Sequence, residues 1–351
     1  MDPHPVKMCP MAWLGFVIIA VDDPLPTPTR LVFSLTTTAA RVSHIKVVID
    51  ALVEGQRRPP DAVYLALGPS VRLPHWLQWY NSTSKRPGVL RVLRMQEDYG
   101  PASKLLAVVR EGAERAARTI VVYGDDDIVY GDRITELHYR AQVGAQYPTA
   151  FGSRRIAIGE ARTREPLLEA TGTVSVRASF LPEAAFGVAR QPDACRLSDD
   201  YWISHYLTAV GVSLSLLPRC TYNFNSNEWP RSCGKFEPLP EVAQLGALSS
   251  RTLARDGTAG QGGGDWRDQL KRYEVCQRHL RSNPLILAAQ QQLDRRVKRL
   301  RRRRLDRFTV VDVNEGGVLR SPKQRISFLI RSKYILAISC CKTVYIYVGI
   351  F

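Results

Sequence analysis

The segment from Thr119 to Tyr130, TIVVYGDDDIVY, constrains the fold of this 351-residue chain more than any other stretch. Residues 120–123 are apolar and mostly β-branched, which is typical of a strand buried in the centre of a parallel sheet. Asp125, Asp126 and Asp127 follow at the point where that strand leaves the sheet. Ligands of open α/β sheets bind at the carboxyl ends of the strands, so the segment predicts a ligand site there.

The three consecutive carboxylates indicate which ligand this is. They repel one another and are costly to hold together unless a cation lies among them. Ligand sets made only of oxygen suit a hard divalent ion such as Mn²⁺ or Mg²⁺, which keeps open positions for phosphate oxygens. The alternative is a solvated acidic turn between two strands.

Composition fits a globular protein, but the charge is unevenly placed. The hydrophobic share of 45% and the charged share of 23% leave room for one large α/β domain with a tail, or for two small domains. Much of the net charge of +16 comes from the Arg295–Arg307 run. That run either binds an anionic surface, with membrane favoured over nucleic acid, or is a solvated segment. Nucleic acid is not expected, because no aromatic cluster or known module lies beside it.

Both termini carry apolar runs. Met11–Val21 has the length of a signal-peptide core and is too short to span a bilayer; the alternative is an edge strand or an unstructured start. Tyr334–Phe351 indicates a membrane-associated tail, or else a hairpin or a terminal extension.

The seven cysteines show no metal-ligand spacing, and one or two disulfides among Cys195, Cys220 and Cys233 stay open.

Strand and helix patterns alternate from Arg30 onwards. The first half predicts a β-α-β-β-α-β order and therefore a mainly parallel sheet between helices. The strands are Leu31–Leu35, Ala62–Leu67, Val89–Leu93 and the strand before the aspartates, with Thr36 to Thr38 as a turn; the helices are Val42–Val53, Tyr99–Arg110 and Arg133–Val143.

The second half is less regular. It predicts a helix at Tyr201–Val210 that Ser198 caps, a flexible Gly257–Gly264 linker and a short helix at Trp266–His279. Further strands are expected near Thr149–Phe151, Thr171–Val176 and Ser213–Leu217.

Four blocks in order resemble the family 2-like glycosyltransferases, which are nucleotide-diphospho-sugar transferases of the GT-A type. The blocks are LVFSLTTTAAR (Leu31–Arg41), EDYGPASKL (Glu97–Leu105), VYGDDDIVY (Val122–Tyr130) and LSDDYWISHYL (Leu197–Leu207). The resemblance covers about residues 30–250. It implies an α/β, Rossmann-like, mainly parallel sheet flanked by helices, with a basic C-terminal extension. The domains are then a leader with a targeting role (1–27), the catalytic domain (28–256), a glycine-rich linker with a short helix (257–294) and a basic, apolar tail (295–351).

The resemblance also implies donor-binding residues. Thr36 and Thr37 would lie by the nucleoside, with helix capping by Thr37 or Thr38 as the alternative. Arg41 would reach a phosphate. Lys104 lies one turn into a helix whose amino end favours anions, so it would compensate phosphate charge unless it is an ordinary surface lysine.

The acidic blocks carry the implied chemistry. In the family's DxD element, Asp125 faces the ribose or uracil side and shares the Mn²⁺ or Mg²⁺ with Asp127, while Asp126 lies between them in the nucleotide-sugar site. Asp200 is the expected catalytic base and Asp199 its companion, although the two can exchange roles. Helix capping by these acids is the alternative. Trp202 is expected in the core, with stacking on a sugar as the alternative.

The implied activity is transfer of a sugar from a nucleoside-diphosphate donor to an acceptor hydroxyl, with inversion and with metal dependence. The donor would be a UDP- or GDP-sugar and the acceptor a glycan, lipid or protein. A membrane of the secretory pathway (Golgi or ER) is the expected location, and the cytoplasm the alternative. The other functions left open are a non-catalytic sugar-nucleotide-binding relative and a protein that binds nucleic acid or membrane through its Arg-rich tail.

Two features depart from the resemblance. Gly131-Asp132-Arg133 follows the aspartates where related sequences tend to have proline and an aromatic, and the 223–227 stretch and Trp229 match no assigned element. A sugar-nucleotide pyrophosphorylase is disfavoured, because the glycine-rich loop with Arg and Lys that it needs after the first strand is absent.

Overall fold

A computed structural model gives the structure of the chain. It describes residues 27–97, 99–109, 118–158, 165–181, 185–186, 192–226, 228–245, 266–305, 336–340 and 343–347. The chain divides into two compact units, Met1–Arg302 and Arg303–Phe351. The predictions for the leader at 1–26 and for the Gly257–Gly264 linker lie outside the described residues.

The described strands and helices alternate from Arg30 to Tyr123 and follow a less regular order after that. The strands are β1 (Arg30–Thr37), β2 (Ala62–Leu67), β3 (Leu90–Arg94), β4 (Thr119–Tyr123), β5 (Ile128–Val129), β6 (Thr149–Gly152), β7 (Arg155–Ile158), β8 (Glu165–Leu168), β9 (Val174–Arg177), β10 (Ser213–Leu216), β11 (Glu237–Pro238), β12 (Leu336–Cys340) and β13 (Thr343–Tyr347). The helices are α1 (Lys46–Val53), α2 (His75–Thr83), α3 (Ser103–Val109), α4 (Ile134–Gly144), α5 (Asp193–Arg196), α6 (Asp199–Ala209), α7 (Pro240–Gln244), α8 (Trp266–Ser282) and α9 (Pro284–Leu305).

Seven strands form one sheet in the order β10-β6-β9-β4-β1-β2-β3. The β3-β2-β1-β4 ladders are parallel, β9 is antiparallel to both β4 and β6, and β10 is parallel to β6. All strands of this sheet except β9 therefore run in the same direction. The prediction of an α/β fold with a mainly parallel sheet is confirmed.

Helices cover both faces of the sheet, which explains why its central strands, such as β2 and β4, are mostly apolar. In β1, Phe33 packs in a cluster with residues of α1 and α4, whereas its neighbour Val32 packs in a second cluster with residues of α3 and α6. Every residue of β2 is fully buried. Burial on both faces fixes the register of the strands, and the register sets the relative positions of their carboxyl ends at the edge of the sheet.

The first half differs from the sequence prediction in its helices. The order is β-α-β-α-β-α-β, because α2 lies between β2 and β3. The α2 sequence HWLQWYNST is polar and aromatic, with few aliphatic side chains, so its pattern was weak. The predicted helix at Val42–Val53 begins only at Lys46, and Thr36 and Thr37 belong to β1, so the predicted turn at these two residues was wrong.

In the second half, the helix predicted at the acidic pair is confirmed as α6. The prediction that Ser198 caps this helix was wrong, because Ser198 is the N-cap residue but its side chain makes no capping hydrogen bond. The short helix predicted from Trp266 is observed as α8. The next helix, α9, contains most of the basic run, which was predicted to belong to the tail. In the second unit, β12 and β13 form an antiparallel hairpin, which was one of the alternatives for the apolar end. None of the described helices is long and apolar enough to cross a bilayer.

Two disulfides join segments of the first unit. Cys220–Cys233 is among the pairs that the sequence left open, and Cys195 pairs instead with Cys276 of α8. Cross-links of this kind restrict the unfolded chain by closing loops of 13 and 81 residues. The Cys195–Cys276 link ties α8 to α5, next to the start of α6.

A buried histidine makes the stability of the fold pH-dependent. His138 of α4 is fully buried, and its Nε2 lies 2.8 Å from Thr173 Oγ1, while burial lowers its pKa to about 3. Between that pKa and the ordinary value near 6.5, only the unfolded state takes up the proton, so the free energy of unfolding falls as the pH is lowered. We expect wild type to lose about 2 kcal/mol more than His138→Gln between pH 7 and pH 5.

Urea unfolding of both proteins at the two pH values measures this difference. His75→Gln is the matched control, because His75 is exposed on α2. Equal pH dependence of wild type and His138→Gln would contradict a neutral, buried His138.

Candidate active site

The carboxyl ends of β1 and β4 lie side by side and set the position of the three aspartates. Ser34 of β1 pairs with Tyr123 of β4, so three residues further along each chain Thr37 is level with Asp126. The Thr37 hydroxyl donates a hydrogen bond to Asp126 Oδ2. The helix-capping alternative for Thr37 is wrong, since α1 begins nine residues later and has no side-chain cap. Thr36 Oγ1 donates to the Ala66 carbonyl of β2 at 2.9 Å.

The three aspartates have different surroundings. The side chain of Asp126 is 6% exposed, against 34% for Asp125 and 21% for Asp127. Arg41 Nη1 lies 2.7 Å from Asp126 Oδ1 and 3.5 Å from Asp127 Oδ2. Both oxygens of Asp126 are thus engaged within the protein, and the segment is not a solvated acidic turn. The prediction that Asp126 contacts the nucleotide stays a prediction.

Lys104 joins the two acidic segments of the sequence. Its side chain is 1% exposed, and Nζ lies 3.1 Å from Asp125 Oδ1 and 3.0 Å from Asp199 Oδ2. The Tyr123 ring centroid is 5.6 Å from the same nitrogen. Burial lowers the pKa of Lys104, but the carboxylates of Asp199 and Asp125 outweigh it and raise the pKa well above its ordinary value. The alternative of an ordinary surface lysine is wrong.

Asp199 and Asp200 open α6, but they face different partners. Asp199 is 6% exposed and bound to Lys104, whereas Asp200 Oδ1 accepts a hydrogen bond from the Ala170 amide at 3.1 Å. Burial, followed by the charge of Asp199, raises the pKa of Asp200 well above its ordinary value. A carboxyl group whose pKa is raised by burial and by a neighbouring charge is a candidate for proton transfer.

The carboxylates after β4 fit a hard divalent cation. Burial and then the charges of Asp125 and Asp126 raise the pKa of Asp127 to about 6, which reflects a local excess of negative charge. Within the described ranges, no group of three His, Cys, Asp or Glu side chains is arranged as a metal cage. Two carboxylates leave coordination positions for phosphate oxygens and water, as Mg²⁺ sites commonly do.

A glycine and a tyrosine fix the path of the chain through the aspartates. Tyr130 Oη donates to the Asp125 carbonyl at 2.6 Å. A Cβ on Gly124 would lie 2.2 Å from that hydroxyl oxygen, so the close approach requires glycine. Tyr130 is in turn packed on Phe33 of β1, with ring centroids 5.1 Å apart.

An aromatic cavity beside Asp127 was missed by sequence reasoning. Its volume is about 720 Å³, and its lining includes Arg154, Tyr222, Trp229 and Phe236. These residues follow β6 and β10 in segments without periodicity, and the available signal was the density of aromatic residues between 222 and 236. Trp202, by contrast, is fully buried with its ring against Phe186, which confirms its place in the core.

No protein-family model and no curated protein matches the chain. Solved structures of several transferases are similar to it. A mannosyltransferase from Pyrobaculum calidifontis, in complex with GDP-Man and Mn²⁺, has a TM-score of 0.38 at 15% identity, covering 81% of this chain and 82% of its own. TarS 1–349 of S. aureus, in complex with UDP, has a TM-score of 0.34 at 13% identity, covering 82% of this chain and 95% of its own.

A cytidylyltransferase from Francisella tularensis, which acts on 2-C-methyl-D-erythritol 4-phosphate, has a TM-score of 0.33 at 13% identity over 53% of this chain and 88% of its own. At these scores the description of the fold rests on the strand order and register given above. The chain is an α/β protein with a mainly parallel, Rossmann-like sheet.

Proposed function

We propose that the chain is a metal-dependent, inverting glycosyltransferase that uses a nucleoside-diphosphate sugar. The observation that carries the proposal is the position of Lys104, whose ammonium group contacts both Asp125 and Asp199. This contact brings the acidic segment after β4 next to the acidic start of α6, which supports a single site formed by both. In such a site, one group of carboxylates would hold a cation together with the diphosphate, and the other group would take up a proton.

The donor side of the proposed site is the carboxyl end of β1 and β4. Asp127 and Asp125 would hold Mn²⁺ or Mg²⁺, which when bound stabilises the negative charge that builds on the departing diphosphate. Thr36 and Thr37 lie at the neighbouring strand end, as expected for residues near the nucleoside. The donor is a UDP- or GDP-sugar in this proposal.

The acceptor side of the proposed site is Asp200. Its carboxylate takes the proton of the acceptor hydroxyl as the hydroxyl oxygen forms a bond to the anomeric carbon of the sugar. The bond from that carbon to the diphosphate oxygen breaks on the opposite side, and its electron pair leaves with the nucleoside diphosphate. Attack opposite to the leaving group inverts the anomeric configuration.

In this scheme the buried side chains of Lys104 and Arg41 position the carboxylates. Lys104 has two carboxylate partners, which favours holding Asp199 and Asp125 over contacting a phosphate. Arg41 likewise lies against Asp126 and is anchored by its Nε to the Leu245 carbonyl at 2.9 Å. Arg41 Nη1 also lies 3.5 Å from Asp127 Oδ2, one of the two carboxylates proposed to hold the metal.

A location in the secretory pathway is part of the proposal. The disulfides Cys195–Cys276 and Cys220–Cys233 support it, because disulfides persist in oxidising compartments and are rare in the cytosol. Attachment of the basic run to a membrane surface stays a prediction.

Isothermal titration of UDP and of GDP into the full chain, with and without Mn²⁺, tests the donor site. We expect one nucleotide to bind in a metal-dependent way, and Asp127→Asn to weaken that binding on the order of 100-fold. Asp294→Asn is the matched control, since Asp294 is exposed on α9. If folded wild-type protein binds neither nucleotide with Mn²⁺ present, the glycosyltransferase proposal is wrong.

A further inference from the structure

The aromatic cavity is lined by one carboxylate of the proposed reaction and adjoins the chain segment that contacts the proposed base. Asp127, on the donor side, is part of its lining. On the other side, Arg154 of the lining forms an ion pair with Glu169 at 2.7 Å. Glu169 precedes Ala170, whose amide is hydrogen-bonded to Asp200. A molecule in the cavity is therefore flanked by the donor carboxylate and by the chain segment that contacts the proposed base.

The cavity wall is formed by stacked aromatic rings. The ring centroids of Trp229 and Phe236 are 4.6 Å apart with an interplanar angle of 20°, and those of Tyr222 and Trp229 are 4.8 Å apart. Below them, the Arg154 guanidinium lies 5.1 Å from the Tyr222 ring centroid and 5.0 Å from that of Phe224. The rings thus hold one another in a continuous wall of about the extent of a small ligand.

The wall is fixed before any ligand arrives. Tyr222 and Trp229 lie in the loop that the Cys220–Cys233 disulfide closes, and the backbones of Asn223 and Glu228 pair across it. The chain then returns to the aspartates, because β11 pairs with β5 and the Leu239 amide donates to the Asp127 carbonyl at 2.8 Å. A preformed wall removes much of the ordering that binding would otherwise require.

We propose that this cavity binds the acceptor and that the acceptor is a glycan with a pyranose ring against Trp229. The inference rests on the proposed function, whose acceptor it specifies. The flat C–H face of a pyranose matches the aromatic wall, while its hydroxyl groups both donate and accept hydrogen bonds. The rim offers both kinds of partner: donors on Arg231 and Lys235, and an acceptor on Glu228.

The same lining disfavours a lipid chain. An alkyl chain makes no hydrogen bonds, so it would desolvate the charged groups around the rim without replacing their water. The volume of about 720 Å³ lies within the range of about 300–1,000 Å³ of small-ligand sites, and suits a short oligosaccharide segment.

A glycan array of pyranose oligosaccharides, probed with the full chain in Mn²⁺ and the nucleotide that binds, tests the inference. We expect wild type to bind a subset of the oligosaccharides, and the affinity for these, measured by titration, to fall at least about tenfold in Trp229→Ala. Trp229→Phe should retain most of it. Trp79→Ala is the control, because Trp79 is 57% exposed on α2 and outside the cavity.

Nucleotide titration of the same variants separates this inference from the proposed function. Trp229→Ala should bind nucleotide with Mn²⁺ as wild type does, which also reports that it is folded. Binding of nucleotide but of no oligosaccharide overturns the glycan acceptor alone, as does binding of decyl phosphate in place of sugars. Equal sugar affinity of Trp229→Ala and wild type overturns the assignment to this cavity.

Discussion

Asp200→Asn lowers the turnover number by about 100- to 10,000-fold, the range that general bases contribute. Asparagine keeps the size of the side chain and an oxygen for the Ala170 amide, but it cannot take a proton from the acceptor hydroxyl. Donor binding should be unchanged, because Asp200 is on the acceptor side of the proposed site. The expected result is a loss of rate with a nearly constant affinity for the nucleotide.

Release of nucleoside diphosphate from the nucleotide sugar, in the presence of the acceptor, measures the rate. Asp199→Asn is the informative comparison: it removes a partner of Lys104, so its main effect should be on stability. The same release assay with Asp294→Asn controls for loss of a surface carboxylate. Turnover of Asp200→Asn within tenfold of wild type would assign the base to another residue, Asp199 first.

Lys104→Met destabilises the fold by about 3 kcal/mol, at the lower end for the loss of one partner of a buried ion pair. Methionine fills much of the same space, but it leaves Asp199 without its buried cation and Asp125 with less compensation. Asp125 is partly exposed, so water screens its charge. For this reason we expect a loss of stability at the lower end of the range for buried ion pairs. For a unit of this size the loss corresponds to a Tm lower by roughly 5 °C.

Thermal and urea unfolding measure this effect, and a second substitution identifies its cause. Lys104→Met combined with Asp199→Asn should recover part of the loss, because the buried charge left behind is removed. Lys46→Met is the surface control: Lys46 pairs with Asp50 one turn away on α1, a pair whose loss changes stability by less than about 0.5 kcal/mol. A Lys104→Met protein as stable as wild type would rule out the bridging role.

Local patterns in the sequence were sufficient to predict the seven strands of the main sheet and its mainly parallel direction, but not the short strands β5, β7, β8 and β11. β2 was predicted with its observed bounds, and β4 within one residue, because strands buried on both faces need unbroken apolar runs. The position of Asp125 to Asp127 at a strand end followed from the same reasoning. α2 was missed since its polar and aromatic residues have no clear helical period, and the start of α1 was misplaced because turns at 39–45 precede it.

Local sequence patterns were thus enough to predict a mainly parallel α/β sheet and the acidic residues at the ends of its strands and helices. Which of these residues contact one another depends on the tertiary fold. The contacts of Lys104 with Asp125 and Asp199, and of Arg41 with Asp126, join residues 21 to 95 positions apart. The aromatic wall depends on a disulfide and on ring contacts between loops. Local sequence encodes periodicity and burial, whereas these contacts depend on strand register and loop closure, which are set when the whole sheet packs.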